Sequence, residues 1–298
     1  MAAKDMKKGK TDLAEVKVGK LSKQHQEFSV RALEKELLKK FPAEDGEDWD
    51  RNGLTVGDPS ASVSAVAIAL DPTVEAIREA KAAGANVLLT HHPAFITAPD
   101  SFSPGTSDLA SPGCVVYTAI SEGVALISLH TALDVSREAS RVLPGMLGLA
   151  LVGIVDPLEG DPRKGYGQLC AVKPADAPLT LGQLAARCTS VFEIPPRVWG
   201  DFEKPVTKVV TATGSASGLA KLCLPLSADC LVCGEIHYHD ALAAQAAGLA
   251  VVDLGHDTSE LPLVAVLVAA LASIGFPAGK VAVLDQRGNW TYPESVRI

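Results

Sequence analysis

Short apolar runs alternate with amphipathic segments along most of this chain, and that alternation predicts strands joined by helices. Ser29 is placed to cap a helix that runs to Phe41 and is stopped by Pro42. Residues 63–70 predict a strand, 73–83 a helix with Gly84 just past its end, and 87–90 a second strand, which together make a βαβ unit. A strand at 115–118, a short helix ending near Gly123 and a strand at 124–129 repeat the rhythm. Residues 146–204 are rich in Pro and Gly and carry one strand (168–172) and one helix (181–188). The pattern then restarts with strands at 206–212, 230–233 and 249–254 and helices at 218–224 and 239–247. It ends in a long apolar helix at 259–274 and a closing strand at 280–284. The expected fold class is α/β, with sheets flanked by helices: a first lobe over 29–145, a connecting segment over 146–204 and a second lobe over 205–298.

Composition narrows the setting. Of 298 residues, 47% are hydrophobic but only 5% aromatic, so the core is one of Ala, Val and Leu. A net charge of -8 argues against a nucleic-acid partner, although the first 24 residues carry seven Lys against three acids. Residues 1–28 therefore read as a disordered basic tail. It lacks the apolar region of a secretory signal, and no stretch approaches the roughly 18 uninterrupted apolar residues of a membrane span. With six dispersed cysteines, the expectation is a cytoplasmic protein with free thiols.

The chemistry lies at the ends of the apolar runs. One run ends in His91-His92-Pro93, another in His130 and a third in Gly255-His256. Asp134 follows His130 by four residues, and Glu260 follows His256 by four. Imidazoles at strand ends need partners for both ring nitrogens, and metal is the natural one. Successive strand residues face opposite ways, so His91 and His92 suit two ions better than one, roughly 3.5–4 Å apart with bridging carboxylates. Asp134 is a stronger ligand candidate than His130, because hard dications want anionic oxygen; His130 is left to orient a ligand. Glu260 has a second reading as part of a capping box with Asp257. Cys230 and Cys233 read as buried strand residues, since a structural zinc site needs four ligands. The glycines at 214 and 218 suit either a phosphate at a helix start or a tight turn.

These residues resemble a family of dinuclear-metal proteins known as type 2 GTP cyclohydrolase I homologues, or NGG-interacting-factor-three-like proteins. The likeness spans residues 29 to 290. It rests on Trp49-Asp50-Arg51-Asn52-Gly53-Leu54, Thr90-His91-His92-Pro93, His130-Thr131-Ala132-Leu133-Asp134, Gly234-Glu235 with Tyr238-His239, and Gly255-His256 with Ser259-Glu260. The resemblance implies two related α/β lobes with mixed sheets, a metal site in the cleft between them, and ligands at His91, His92, Asp134, His256 and Glu260. It further implies two divalent ions per chain (zinc, iron or manganese) and a homohexamer. One departure stands out: many relatives have Gly-x-Gly-Arg where this chain has Gly165-Tyr166-Gly167-Gln168. The expected function is metal-dependent hydrolysis of a nucleotide or small phosphoester, with Glu235, His239 or His130 as acid–base candidates. The alternatives are a non-catalytic metal- or partner-binding scaffold and a structural role for the metals. Neither is dismissed by the sequence, because no Arg/Lys clamp for a triphosphate adjoins the ligand blocks; Lys81, Arg137 and Arg141 come nearest in sequence.

Overall fold

The computed structural model describes residues 27–104, 111–288 and 290, so nearly all of the expected basic tail lies outside it. Helix α1 (Val30–Lys40) starts at Ser29, whose hydroxyl accepts from the Ala32 N–H. Strand β1 (Gly53–Val56) follows, then β2 (Val66–Ala69), α2 (Val74–Ala82), β3 (Val87–Thr90), α3 (Pro112–Glu122) and β4 (Ala125–Ser128). The short helices α4 (Thr131–Asp134) and α5 (Val142–Met146) end this half of the chain. Strands β2, β3 and β4 are parallel and buried at every position, and β1 runs antiparallel along β4.

A hairpin opens the second half, β5 (Ala150–Leu158) with β6 (Asp161–Ala171). Next come β7 (Leu179–Thr180), α6 (Leu181–Phe192), β8 (Arg197–Trp199), β9 (Pro205–Val206), β10 (Lys208–Ser215), α7 (Leu219–Cys223), β11 (Cys230–Glu235), α8 (Tyr238–Ala246) and β12 (Ala250–Asp253). The chain then forms α9 (His256–Glu260), α10 (Leu263–Ser273) and β13 (Val281–Val283). The second sheet has the order β5-β6-β10-β11-β12-β8, with β10, β11 and β12 parallel. The fold is α/β, two mixed sheets flanked by helices.

Four expectations need correction. Residues 115–118 are helical: Ser111 caps α3, Pro112 occupies its first turn and Gly123 closes it in the left-handed region, and these signals override the β-branched run. The helix expected at 259–274 is two helices, because Pro262 cannot donate to the preceding turn. The strand at 280–284 does not close the second sheet; β13 pairs in parallel with β2 and completes the first, in the order β1-β4-β3-β2-β13. Residues 53–56, which the sequence pattern left without an element, form β1.

The return of the C-terminal segment has a packing cause. Helix α10 buries Leu263, Leu267, Ala270 and Leu271 completely against α1 and β2, in one core with Leu33, Leu37 and Ile68. Each such Leu contributes roughly 1.5–3 kcal/mol of hydrophobic stabilisation. Among the described residues no helix is long and apolar enough to cross a membrane.

Candidate metal centre

Parallel strands of both sheets deliver their carboxyl ends to one cluster, where ligand sites of open α/β sheets characteristically form. His91 and His92 follow β3, His130 follows β4, and Gly255-His256 follow β12. The turn into α4 brings Asp134 in from the first sheet's side, and α9 places Glu260 one turn beyond His256. Gly255 starts α9 with φ +98°, a conformation that turns His256 inward at little cost for glycine. There is no capping box here: no side chain caps α9, so the structure leaves Glu260 free of the role its spacing from Asp257 had suggested.

The donor atoms converge without satisfying one another. His91 is fully buried, and its Nε2 lies 3.6 Å from Asp134 Oδ1 and 3.6 Å from Glu260 Oε1. His92 Nε2 is 3.0 Å and His256 Nε2 3.2 Å from Glu260 Oε2. Yet His91 Nε2 and Glu260 Oε2 are both buried with no hydrogen bond, the His91 contacts being too long for one. A buried unpaired polar atom is costly, and two of them in one cluster of imidazoles and carboxylates are atoms that a bound cation could satisfy. Three triads each hold donor atoms within 4.8 Å of one another: His91, His92 and His130; His92, His256 and Glu260; His91, Asp134 and Glu260. These groups could bind metal.

Electrostatics agree with the geometry. Burial opposes charge on His92, but Asp71 and Glu260 outweigh it and push its pKa up to about 10. The contact with Glu260 likewise raises His256, to about 9. Burial works against the Glu260 carboxylate, yet His256, His91 and His92 hold its pKa well below the usual range; Asp134 goes the other way, raised by burial. The cluster is thus a mixed imidazole and carboxylate set that a dication would suit and protons partly fill.

A layer of acids orients the rings. His92 Nδ1 is 2.7 Å from Asp71 Oδ1, at the end of β2. Asp50 takes His130 Nδ1 at 2.9 Å together with the Thr131 N–H at 2.9 Å, bracing both the ring and the first turn of α4. Burial would raise Asp50, but these bonds outweigh it and hold its pKa far down. Asn52 Oδ1 accepts from the His130 N–H, and Asp253, buried, accepts from the Ile236 and Gly255 N–H groups while pairing with Arg197. Carboxylates behind metal-facing imidazoles fix ring orientation and raise ring basicity. None of Asp50, Asp71 or Asp253 was given a role from the sequence, although Asp50 lies in the Trp49–Leu54 block and Asp71 and Asp253 stand at strand ends as the histidines do.

The remaining candidates divide. Glu235 ends β11 and stands 3.5 Å from His256 Nδ1, beside the cluster. His239 does not join it: the ring is exposed on α8 against Tyr238. Cys230 and Cys233 are buried in separate cores on the two faces of β11. Gly214 lets β10 approach α9, its N–H donating to Ser259 Oγ at 2.9 Å, and Gly218 stands just before α7.

In this α/β fold the strand ends gather four histidines and two acids that could bind metal. The chain belongs to the Duf34/NIF3 (NGG1p interacting factor 3) family, whose model matches residues 28–287. It is 34% identical over 232 residues to a "GTP cyclohydrolase 1 type 2 homolog" of Streptomyces coelicolor, covering 74% of this chain and 78% of that one. It is 26% identical over 254 residues to a "GTP cyclohydrolase 1 type 2" of Helicobacter pylori (82% and 94% covered). In fold it is similar to a hypothetical protein of Staphylococcus aureus, with TM-score 0.79, 23% identity and coverage of 90% of this chain and 100% of that one. A Bacillus cereus protein related to NIF3 gives TM-score 0.74 at 18% identity, with 90% and 99% covered.

Proposed function

We propose that this chain is a metal-dependent hydrolase acting on a nucleotide or small phosphoester, with His91, His92, Asp134, His256 and Glu260 holding two divalent ions, zinc, iron or manganese. The observation that carries the reading is the pair of buried, unpartnered atoms, His91 Nε2 and Glu260 Oε2, inside converging donor triads. The two oxygens of Glu260 face different rings, Oε1 toward His91 and Oε2 toward His92 and His256, which suits a bridging carboxylate. Two dications held there would supply positive charge able to polarise a substrate oxygen and to acidify nearby water.

The chain's own groups do the rest. His130, with Nδ1 held by Asp50, keeps Nε2 toward the cluster and is placed to hold or hand on a proton there. Glu235 is a second proton acceptor, beside His256. His239 has no role in this reading.

The resemblance also carries a six-chain assembly, supported by exposed apolar side chains such as Ile120 and Val152, and a cytoplasmic setting. Light scattering that returns a mass near the 31.0 kDa of one chain would remove the assembly. For the activity, the full chain is purified without chelators, its metal content measured, and turnover of nucleotides and phosphoesters compared with that of His91→Ala and Glu260→Gln. Metal-dependent turnover absent from both variants is the expected result. A fully metal-loaded protein that turns over none of them leaves a metal-binding scaffold instead.

A further inference from the structure

Beside the cluster lies a cavity of about 620 Å³ whose inner end is formed by Asp134, His256 and Glu260. Its outer walls bring in two more carboxylates, Glu47 and Asp156, both exposed. Among the described residues lining it there is no Lys or Arg. Two cations on neighbouring segments are engaged elsewhere, Lys164 with Asp45 and Arg137 with Asp161. Gln168 occupies the position where many relatives carry Arg, and its Oε1 accepts from Thr211 at 2.8 Å, so that position contributes no charge.

The remaining lining mixes apolar side chains with the hydroxyls of Thr131, Thr213 and Ser215. Trp49 is 54% exposed, set edge-on to His130 with ring centroids 6.0 Å apart, and Leu222 is 42% exposed on the same cavity. The Tyr166 hydroxyl also lines the cavity, buried beside Glu47 and Thr131 but without a well-formed hydrogen bond to either. Metals at the inner end could neutralise one anionic group. A chain of further phosphates would run outward between Glu47 and Asp156, where each close like-charge pair costs on the order of 1 kcal/mol or more.

We propose that this cavity receives a compact, flat group that is neutral or cationic, such as the base of a nucleoside monophosphate, and rejects a triphosphate. Trp49 offers the ring its face, and the Tyr166 hydroxyl offers it a hydrogen bond. The orientation rests on the hydrolase reading above, which puts the reacting group at the metal ligands; the charge preference does not need turnover to be observed.

The test is equilibrium binding of GMP and of GTP to the full chain loaded with zinc, with the metal content verified. GMP should bind at least about tenfold more tightly than GTP. Because Glu47 and Asp156 are exposed, the double variant Glu47→Gln/Asp156→Asn should fold normally and narrow that ratio. GTP binding as tightly as GMP, no saturable binding of GMP, or a ratio unmoved in the double variant would each overturn the proposal. Selective GMP binding without phosphate release would instead overturn hydrolysis and leave this inference standing.

Discussion

Gly214 and Glu260 share a space that only one side chain can fill: a Cβ built at position 214 would stand 2.3 Å from Glu260 Oε1, at φ +58°. Gly214→Ala should therefore cost about 1–2 kcal/mol in backbone strain and also push the carboxylate out of place. We expect a lower melting temperature together with a fall in bound metal. Gly218→Ala is the control, since nothing lies within 4 Å of the added carbon and φ there is negative; it should change stability by about 0.5 kcal/mol or less. Equal metal content in the two variants would remove the link between this glycine and the site.

The path from sequence to this site was uneven, and the causes are physical. His91 was legible because β3 is buried at every position, so its apolar run has a sharp end and the histidine marks it. The misreading of 115–118 came from weighing β-branched residues over the caps at Ser111 and Gly123. The placement of β13 could not be read locally, since its partner β2 lies some two hundred residues away and α10 carries it back to the first core. The role of Asp50 was invisible for the same reason: the motif names the residue, and only the fold brings it to His130. His256 needed no long-range pairing to be placed just past a strand end, and the structure has it there, after β12.

Metal uptake should be coupled to proton release. With pKa values pushed up to about 10 and about 9, His92 and His256 both carry a proton at neutral pH in the metal-free protein. A ring nitrogen must be bare to bind a cation, so apparent affinity should rise as pH is raised toward that range. Stability of the metal-free protein has the opposite sign. Raised histidine pKa values contribute stability that is full below the ordinary 6.5 and is lost as pH climbs through 9 to 10. Calorimetric zinc titrations in two buffers of different ionisation enthalpy should give different heats. Identical heats would show that no proton leaves.

The cysteines of β11 should be dispensable for metal. Cys230 packs with Leu184 and Val252 on one face, Cys233 with Ala241 and Val251 on the other, and burial pushes both thiols well above their usual range. Thiolates at these positions would need charge compensation that neither core offers. Replacing both by Val should cost about 1 kcal/mol each at most and leave metal content unchanged. Loss of stoichiometric metal with the fold retained would make them ligands.

Glu260 and Asp257 lie on the same short helix and separate two roles that the sequence had left entangled. Asp257 caps nothing; its carboxylate accepts from Trp290 Nε1 at 3.1 Å on the surface. Asp257→Ala should cost about 1 kcal/mol or less and leave metal binding alone. Glu260→Gln keeps the size of the side chain but removes the one charge that faces His91, His92 and His256 together. Its loss takes away an anionic donor and the charge that offsets the ion's own, so metal affinity should fall at least about tenfold, with little change in secondary structure. The Gln variant should also lower the pH at which His92 and His256 titrate, which NMR of the imidazole protons can follow in the metal-free protein. Equal metal occupancy in the Glu260 and Asp257 variants would mean that position 260 serves the helix and not the ion.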